Sequence, residues 1–121
     1  MAVATFSLVA LDCPDPRALA QFYQSIVGGD IMEATASADW VRLHTPNGVD
    51  IGFQQDPAYE PPGWPSGSSQ QAHLDLAVDD LDLGEQAVLK LGAVKTELQP
   101  EPDQWRVFLD PVGHPFCLVL D

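Results

Sequence analysis

The stretch QWRVFLDPVGHPFCLVL, residues 104–120, repeats a pattern already used by DWVRLHTPNGVDIGFQ, residues 39–54. An offset of 65 lays Trp40 on Trp105, Pro46 on Pro111 and Gly48 on Gly113. In each copy, runs of β-favouring residues flank a Pro/Gly turn, PNG in the first and PVG in the second, and that is the mark of a tight hairpin. One short pattern has been used twice. The copies differ most tellingly where the first has Gly52 and the second has Cys117.

Working outward, each hairpin is preceded by the same order of elements. ATFSLVALDC predicts a strand, and CPDPRALAQFYQSIVGG a helix with Asp15 as cap, Pro16 in its first turn and Gly28–Gly29 as its stop. Leu19, Phe22, Tyr23 and Ile26 recur at spacings of three and four, one apolar stripe. DIMEAT, DWVRLHT and VDIGFQ follow as strands. After DPAYEPPGWPSGSSQQ, rich in Pro, Gly and Ser, the order restarts. AHLDLAVDD reads as a strand, LDLGEQAVLKLGA as a helix stopped near Gly92, and VKTEL, WRVFLD and PFCLVL as strands. The predicted fold is α+β: two tandem βαβββ modules, about residues 1–58 and 71–121, joined by a linker at about 59–70. Modules of about sixty residues are too small to bury a core alone, so a single packed domain is expected.

At 121 residues and 13.1 kDa, with 45% apolar and 19% charged residues, the composition is that of one ordinary globular domain. Neither a long uncharged apolar run nor a basic-then-apolar leader appears, so the expectation is a cytoplasmic protein in which Cys13 and Cys117 are thiols. A net charge of -13 makes nucleic acid and anionic membrane poor partners, since affinity there comes from Lys and Arg. The carboxylates are scattered rather than run together, and solubility accounts for them.

Strand alternation then sorts the side chains. Leu74, Leu76 and Val78 fall on the side a helix should cover, with His73, Asp75 and Ala77 opposite. Phe116, Leu118 and Leu120 face the helix, and Cys117 and Val119 do not. In the first module Val41, Leu43, Ile51 and Phe53 face the core, while Trp40, Arg42, His44, Gly52 and Gln54 take the other face. A face bearing His73, Asp75, Gln54, Arg42 and Trp40 is too polar for a dry core and too aromatic for plain solvated surface. A cupped ligand site accounts for the mixture; the simpler alternative is a sheet face that meets water.

At this point the chain resembles the vicinal oxygen chelate superfamily of glyoxalases, bleomycin-resistance proteins and extradiol dioxygenases, most of all its small bacterial glyoxalase-like members. DCPDPRALAQFY resembles the first strand-to-helix junction, AHLDLAVDDLD the opening of the second module, and LDPVGHPFCLV the closing hairpin. The resemblance implies two βαβββ modules whose mostly antiparallel sheets form a cup with helices outside, often in a homodimer. In metal-dependent members each module supplies a ligand from its first strand and another from its last. By the repeat those positions fall on Phe6, Gly52, His73 and Cys117, of which only His73 is a typical ligand. With Asp75, His44 or His114 at best recruited nearby, two donors are too few for a catalytic zinc site. No metal site is expected beyond His73 if any, and no cofactor.

The leading functional expectation is therefore a binder of a small aromatic or apolar organic molecule. Trp40, Trp64 and Trp105 would stack on it, and His73, Gln54, Arg42, Asp75 and Cys117 would line the site. Cys117 is expected to pack as a small hydrophobe, Arg42 to pair with a carboxylate by default, and Asp110 and His114 to serve the turn. Two alternatives stand beside it: a metal-dependent lyase or isomerase of glyoxalase type using His73, and a non-catalytic dimerisation or interaction module.

Overall fold

The computed structural model describes residues 2–33 and 39–120, which divide into two compact units, Met1–Tyr59 and Glu60–Asp121. The segment DPAYEPPGWPSGSSQQ belongs mostly to the second unit. Each unit is a βαβββ module, and the fold class is α+β. Among the described residues no helix is long and apolar enough to cross a membrane.

The first module runs β1 (Leu8–Cys13), α1 (Pro16–Val27), β2 (Asp30–Glu33), β3 (Trp40–His44) and β4 (Asp50–Gln55). Its open sheet has the order β1-β4-β3-β2, with β1 parallel to β4 and the remaining pairs antiparallel. The β1 ladder begins where β4 begins, Leu8 opposite Asp50, so the strand expected from residue 4 starts only at Leu8. The expected extension of β2 through Ala34 and Thr35 lies outside the described residues.

Helix α1 begins where Asp15 accepts a hydrogen bond from the Ala18 amide and Pro16 fills the first turn. It stops at Gly28, whose φ of 76° is a conformation glycine adopts without penalty. Leu19, Ala20, Phe22 and Tyr23 are buried, and the Tyr23 ring stacks on Phe53 of β4 at 5.9 Å. That contact fixes which face of the sheet the helix covers. Val41, Leu43 and Phe53 are fully buried on it, as alternation requires.

The second module runs β5 (Leu74–Val78), α2 (Leu81–Lys90), β6 (Val94–Lys95), β7 (Trp105–Leu109) and β8 (Pro115–Leu120), in the sheet order β5-β8-β7-β6. Asp80 caps α2 by accepting from the Leu83 amide. Gly84 sits against Leu118 and Val78, which brings the helix close to the sheet. Phe108, Phe116 and Leu118 are fully buried beneath it. Arg106 reaches from β7 to Asp82 and Glu85 on α2, at 2.8 and 3.3 Å, and marks the same face.

The strand expected over VKTEL shortens to two residues. Beyond it the Gln99 side-chain amide accepts from the Val107 N–H at 2.9 Å, while the Val107 carbonyl accepts both from the Gln99 amide at 2.8 Å and from the Thr96 backbone N–H at 3.2 Å. The side chain thus replaces one of the two backbone bonds of that rung and leaves the other in place.

The ladders make the duplication literal. Trp40 opposes Gln54 and Trp105 opposes Val119; Ala10 opposes Gly52 and Asp75 opposes Cys117. The offset of 65 therefore holds through first strands as well as hairpins. This corrects one equivalence drawn from sequence: the first-module counterpart of His73 is Leu8, two residues before Ala10, and not Phe6. Phe6 precedes the strand and is largely exposed.

Candidate functional site

The face of each sheet away from its helix carries the residues of interest. In the second module, three rows cross that face. Asp75, Cys117 and Val107 form one; Ala77, Val119 and Trp105 form the next; Pro115, Leu109 and Val94 form the third. His73 precedes β5 and lies two residues from Asp75, the spacing that returns a side chain to the same face. The result is an apolar floor with one polar cluster at its β5 edge.

That cluster is His73, Asp75 and Cys117, whose ligand-type atoms lie within 4.8 Å of one another. His73 Nε2 is 3.1 Å from Asp75 Oδ1. Asp75 and Cys117 are opposite one another in the parallel β5–β8 ladder, which brings the thiol and the carboxylate within 4.8 Å. Burial pushes the Cys117 thiol up to about 11, and the Asp75 charge adds to the effect. The imidazole is paired with the carboxylate, at 3.1 Å. A cysteine nucleophile needs a lowered thiol pKa, so burial and the neighbouring Asp75 charge hold Cys117 as a thiol rather than activating it. Both cysteines are unbridged, as expected.

The open face of the first module is built differently. Asp50, at the start of β4, is only 7% exposed and gathers three partners. Arg42 Nε donates to it at 2.7 Å, the Thr45 amide at 3.3 Å, and His44 Nδ1 lies 3.1 Å away. The Arg42 hydrogen bond, with smaller help from His44 and Thr45, holds the Asp50 carboxyl below its usual range against the opposing effect of desolvation. Arg42 is therefore committed to a carboxylate of its own module, the default expected from sequence. Asp50 itself was missed there. Alternation puts it on the face of Gly52 and Gln54, and the hairpin register puts it opposite His44.

Gly52 answers the question raised by the repeat. A Cβ placed on it would lie 2.3 Å from Cη2 and 2.7 Å from Cζ2 of Trp40, so the indole lies directly across the glycine. Trp40 pairs with Gln54, and its ring runs back along β4 over position 52. The first module thus has glycine where the second has Cys117 because its tryptophan occupies the space. Leu8, Ala10 and Gly52 offer no donor atom in their side chains. The four positions that the vicinal oxygen chelate resemblance assigns to metal ligands do not fit one here.

Gln54 is exposed on the same face as Trp40, and Trp105 is half-buried beside Val119. Trp64 is half-buried in the segment before β5, outside both sheets. That segment packs Pro61 against Gly113 of the β7–β8 turn. In the same turn Asp110, 2% exposed, accepts from the amides of Val112 and His114 at 3.0 Å each, the turn role expected of it.

A family model described as a glyoxalase-like domain matches residues 8–119. A search of curated proteins returned no match to the sequence. Solved structures match across nearly the whole chain. One is a glyoxalase/bleomycin resistance protein/dioxygenase family enzyme from Burkholderia phytofirmans PsJN, with 23% identity and a TM-score of 0.72 over 95% of this chain and 97% of that one. Another is the fosfomycin resistance protein FosX from Mesorhizobium loti, with 16% identity and a TM-score of 0.71 over 100% and 94%. A third is TnmS3, an antibiotic binding protein from Streptomyces sp. CB03234, with 21% identity and a TM-score of 0.59 over 99% and 98%. At these identities the likeness is one of fold.

Proposed function

Because the chain belongs to the glyoxalase-like domain family, we propose that it binds a small, aromatic or apolar organic molecule on the second module's sheet face away from α2, oriented by the polar edge of that face. The observation that carries this is the make-up of that face: Trp105, Val107, Val119 and Ala77 form a floor, and His73 with Asp75 supplies a donor and an acceptor at one side. A mostly apolar surface with a few convergent polar groups is the usual composition of a small-molecule site. The Asp75 side chain is 57% exposed and the His73 side chain 36%, so both can be reached. The antibiotic-binding and fosfomycin-resistance proteins among the structural relatives are consistent with this use of the fold. Cys117 serves as floor, as a protonated thiol beside Asp75.

The test is a titration of the protein, in chelator, with planar probes such as neutral naphthol and cationic proflavine, read by tryptophan fluorescence. Saturable quenching that weakens in Trp105→Ala and in Asp75→Asn supports the reading. Probes that quench no more than they quench free tryptophan amide, across a broad panel, would count against it.

A further inference from the structure

We propose that the second module alone binds a divalent cation of zinc type through three donors, the His73 imidazole, the Asp75 carboxylate and the Cys117 thiolate, leaving a fourth position open. The four-position pattern implied by the family resemblance supplies only two of these groups and requires two from the first module. Leu8 and Gly52 have none to give, and the Trp40 indole covers position 52. Asp75 belongs to no position of that pattern. It is the residue that turns two donors into three, the usual protein complement of an open zinc site.

The geometry is close to what a cation requires. Donors bound at about 2.0–2.3 Å in a tetrahedron stand roughly 3.3–3.8 Å apart. His73 Nε2 and Asp75 Oδ1 are already 3.1 Å apart, and no pair in the cluster exceeds 4.8 Å. The remaining adjustment falls on His73 and Asp75, which are exposed and turn about their own side-chain bonds. Cys117 is 8% exposed on a central strand and provides the fixed point. One nitrogen, one carboxylate oxygen and one sulfur suit a borderline-soft ion and not magnesium or calcium, which call for oxygen. The net charge of -13 favours cations generally. On binding, the sulfur–hydrogen bond gives way to a sulfur–metal bond and the proton leaves to buffer.

The inference stands apart from the small-molecule reading, whose probe titration is done in chelator. It is tested by titrating the full chain with cobalt(II), followed by thiolate-to-cobalt charge-transfer absorption, and with zinc by calorimetry. The expected result is one ion per chain with a charge-transfer band that survives Cys13→Ser and disappears in Cys117→Ser. Asp75→Asn and His73→Gln should each weaken zinc binding at least about tenfold, the scale seen when even the outer partners of metal ligands are lost. Absence of saturable binding overturns the proposal. So does binding that is unchanged in Asp75→Asn, which tests the new ligand directly. Should Cys117→Ser lose stability in chelator, the two variants at exposed positions decide the matter.

Discussion

Replacing Gly52 by alanine puts a methyl carbon 2.3 and 2.7 Å from two carbons of the Trp40 indole and 3.1 Å from Cδ1 of Leu8. Carbon atoms rest at about 3.5–4.0 Å from one another. The Leu8 methyl needs to give only a few tenths of an ångström, but the indole must retreat by more than about 1 Å. Overpacking of that kind costs about 1–3 kcal/mol. Gly52 lies inside β4 and has no left-handed φ, so alanine brings no backbone strain. It should instead contribute about 0.4–1 kcal/mol by restricting the unfolded chain. The net expectation is a loss of about 1–2 kcal/mol in Gly52→Ala. With Trp40→Ala already in place the same change should be neutral or slightly stabilising. Urea denaturation of the four proteins in a double-mutant cycle should then give a coupling energy of about 1–3 kcal/mol. Near-ultraviolet circular dichroism should report the displaced indole in the single variant. A destabilisation by Gly52→Ala that persists undiminished in the Trp40→Ala background would refute the reasoning, because the cost would then come from something other than the ring.

Gly113→Ala should cost more than about 1 kcal/mol, since its φ is +97° and the new methyl would lie 2.8 Å from Cβ of Pro61; a urea midpoint equal to that of the parent would show that neither constraint acts. Asp50→Asn should destabilise the protein near neutral pH, with the gap to the parent closing in acid. The sign follows from the lowered carboxyl: its contribution is complete above the unfolded value of about 4 and is lost as pH falls through the still lower folded value. Denaturant midpoints of the two proteins measured down the acid range should converge there, and a gap that stays constant would mean that the Arg42 bond does not set it.

What the sequence could reveal followed from how local each signal is. Helix α1 is written in neighbours: Asp15 and Pro16 at one end, Gly28 at the other, and a stripe of Leu19, Phe22 and Tyr23 between them. Alternation along β3, β4, β5 and β8 likewise depends only on adjacent residues, and it put His73, Asp75 and Cys117 on the correct face. Register between separate strands is not local. The offset of 65 points to Leu8 rather than Phe6 as the counterpart of His73, but that it extends from the hairpins to the first strands shows only in the ladders, which pair Leu8 with Asp50 and Ala10 with Gly52. The same limit hid Asp50, whose importance lies in partners from the neighbouring strand and the turn. It also hid the shortening of β6, beyond which a glutamine side chain reaches Val107 from outside the strand.

Comparison of the two open faces shows where duplicated modules have diverged. Toward the helices the repeat is apolar at Leu43 and Phe108, Ile51 and Phe116, and Phe53 and Leu118, all buried, with one exception where Val41 corresponds to Arg106. On the other face the polar residues have changed strand. The first module keeps them on β3 and β4, where Arg42, His44 and Asp50 sit within one hairpin and satisfy one another. At the corresponding places the second module has Val107, Leu109 and Pro115, and its polar groups lie on or beside β5, an edge strand of its sheet. There Asp75 lies beside an imidazole and a thiol, and its side chain is more than half exposed. An ion pair that is already closed around a buried carboxylate has little to offer a ligand, because breaking it leaves that charge without a partner. An exposed carboxylate with two weak donors can exchange either of them at small cost. The donor groups free to exchange partners in the second module are therefore His73, Asp75 and Cys117, whereas Arg42, His44 and Asp50 of the first module already satisfy one another.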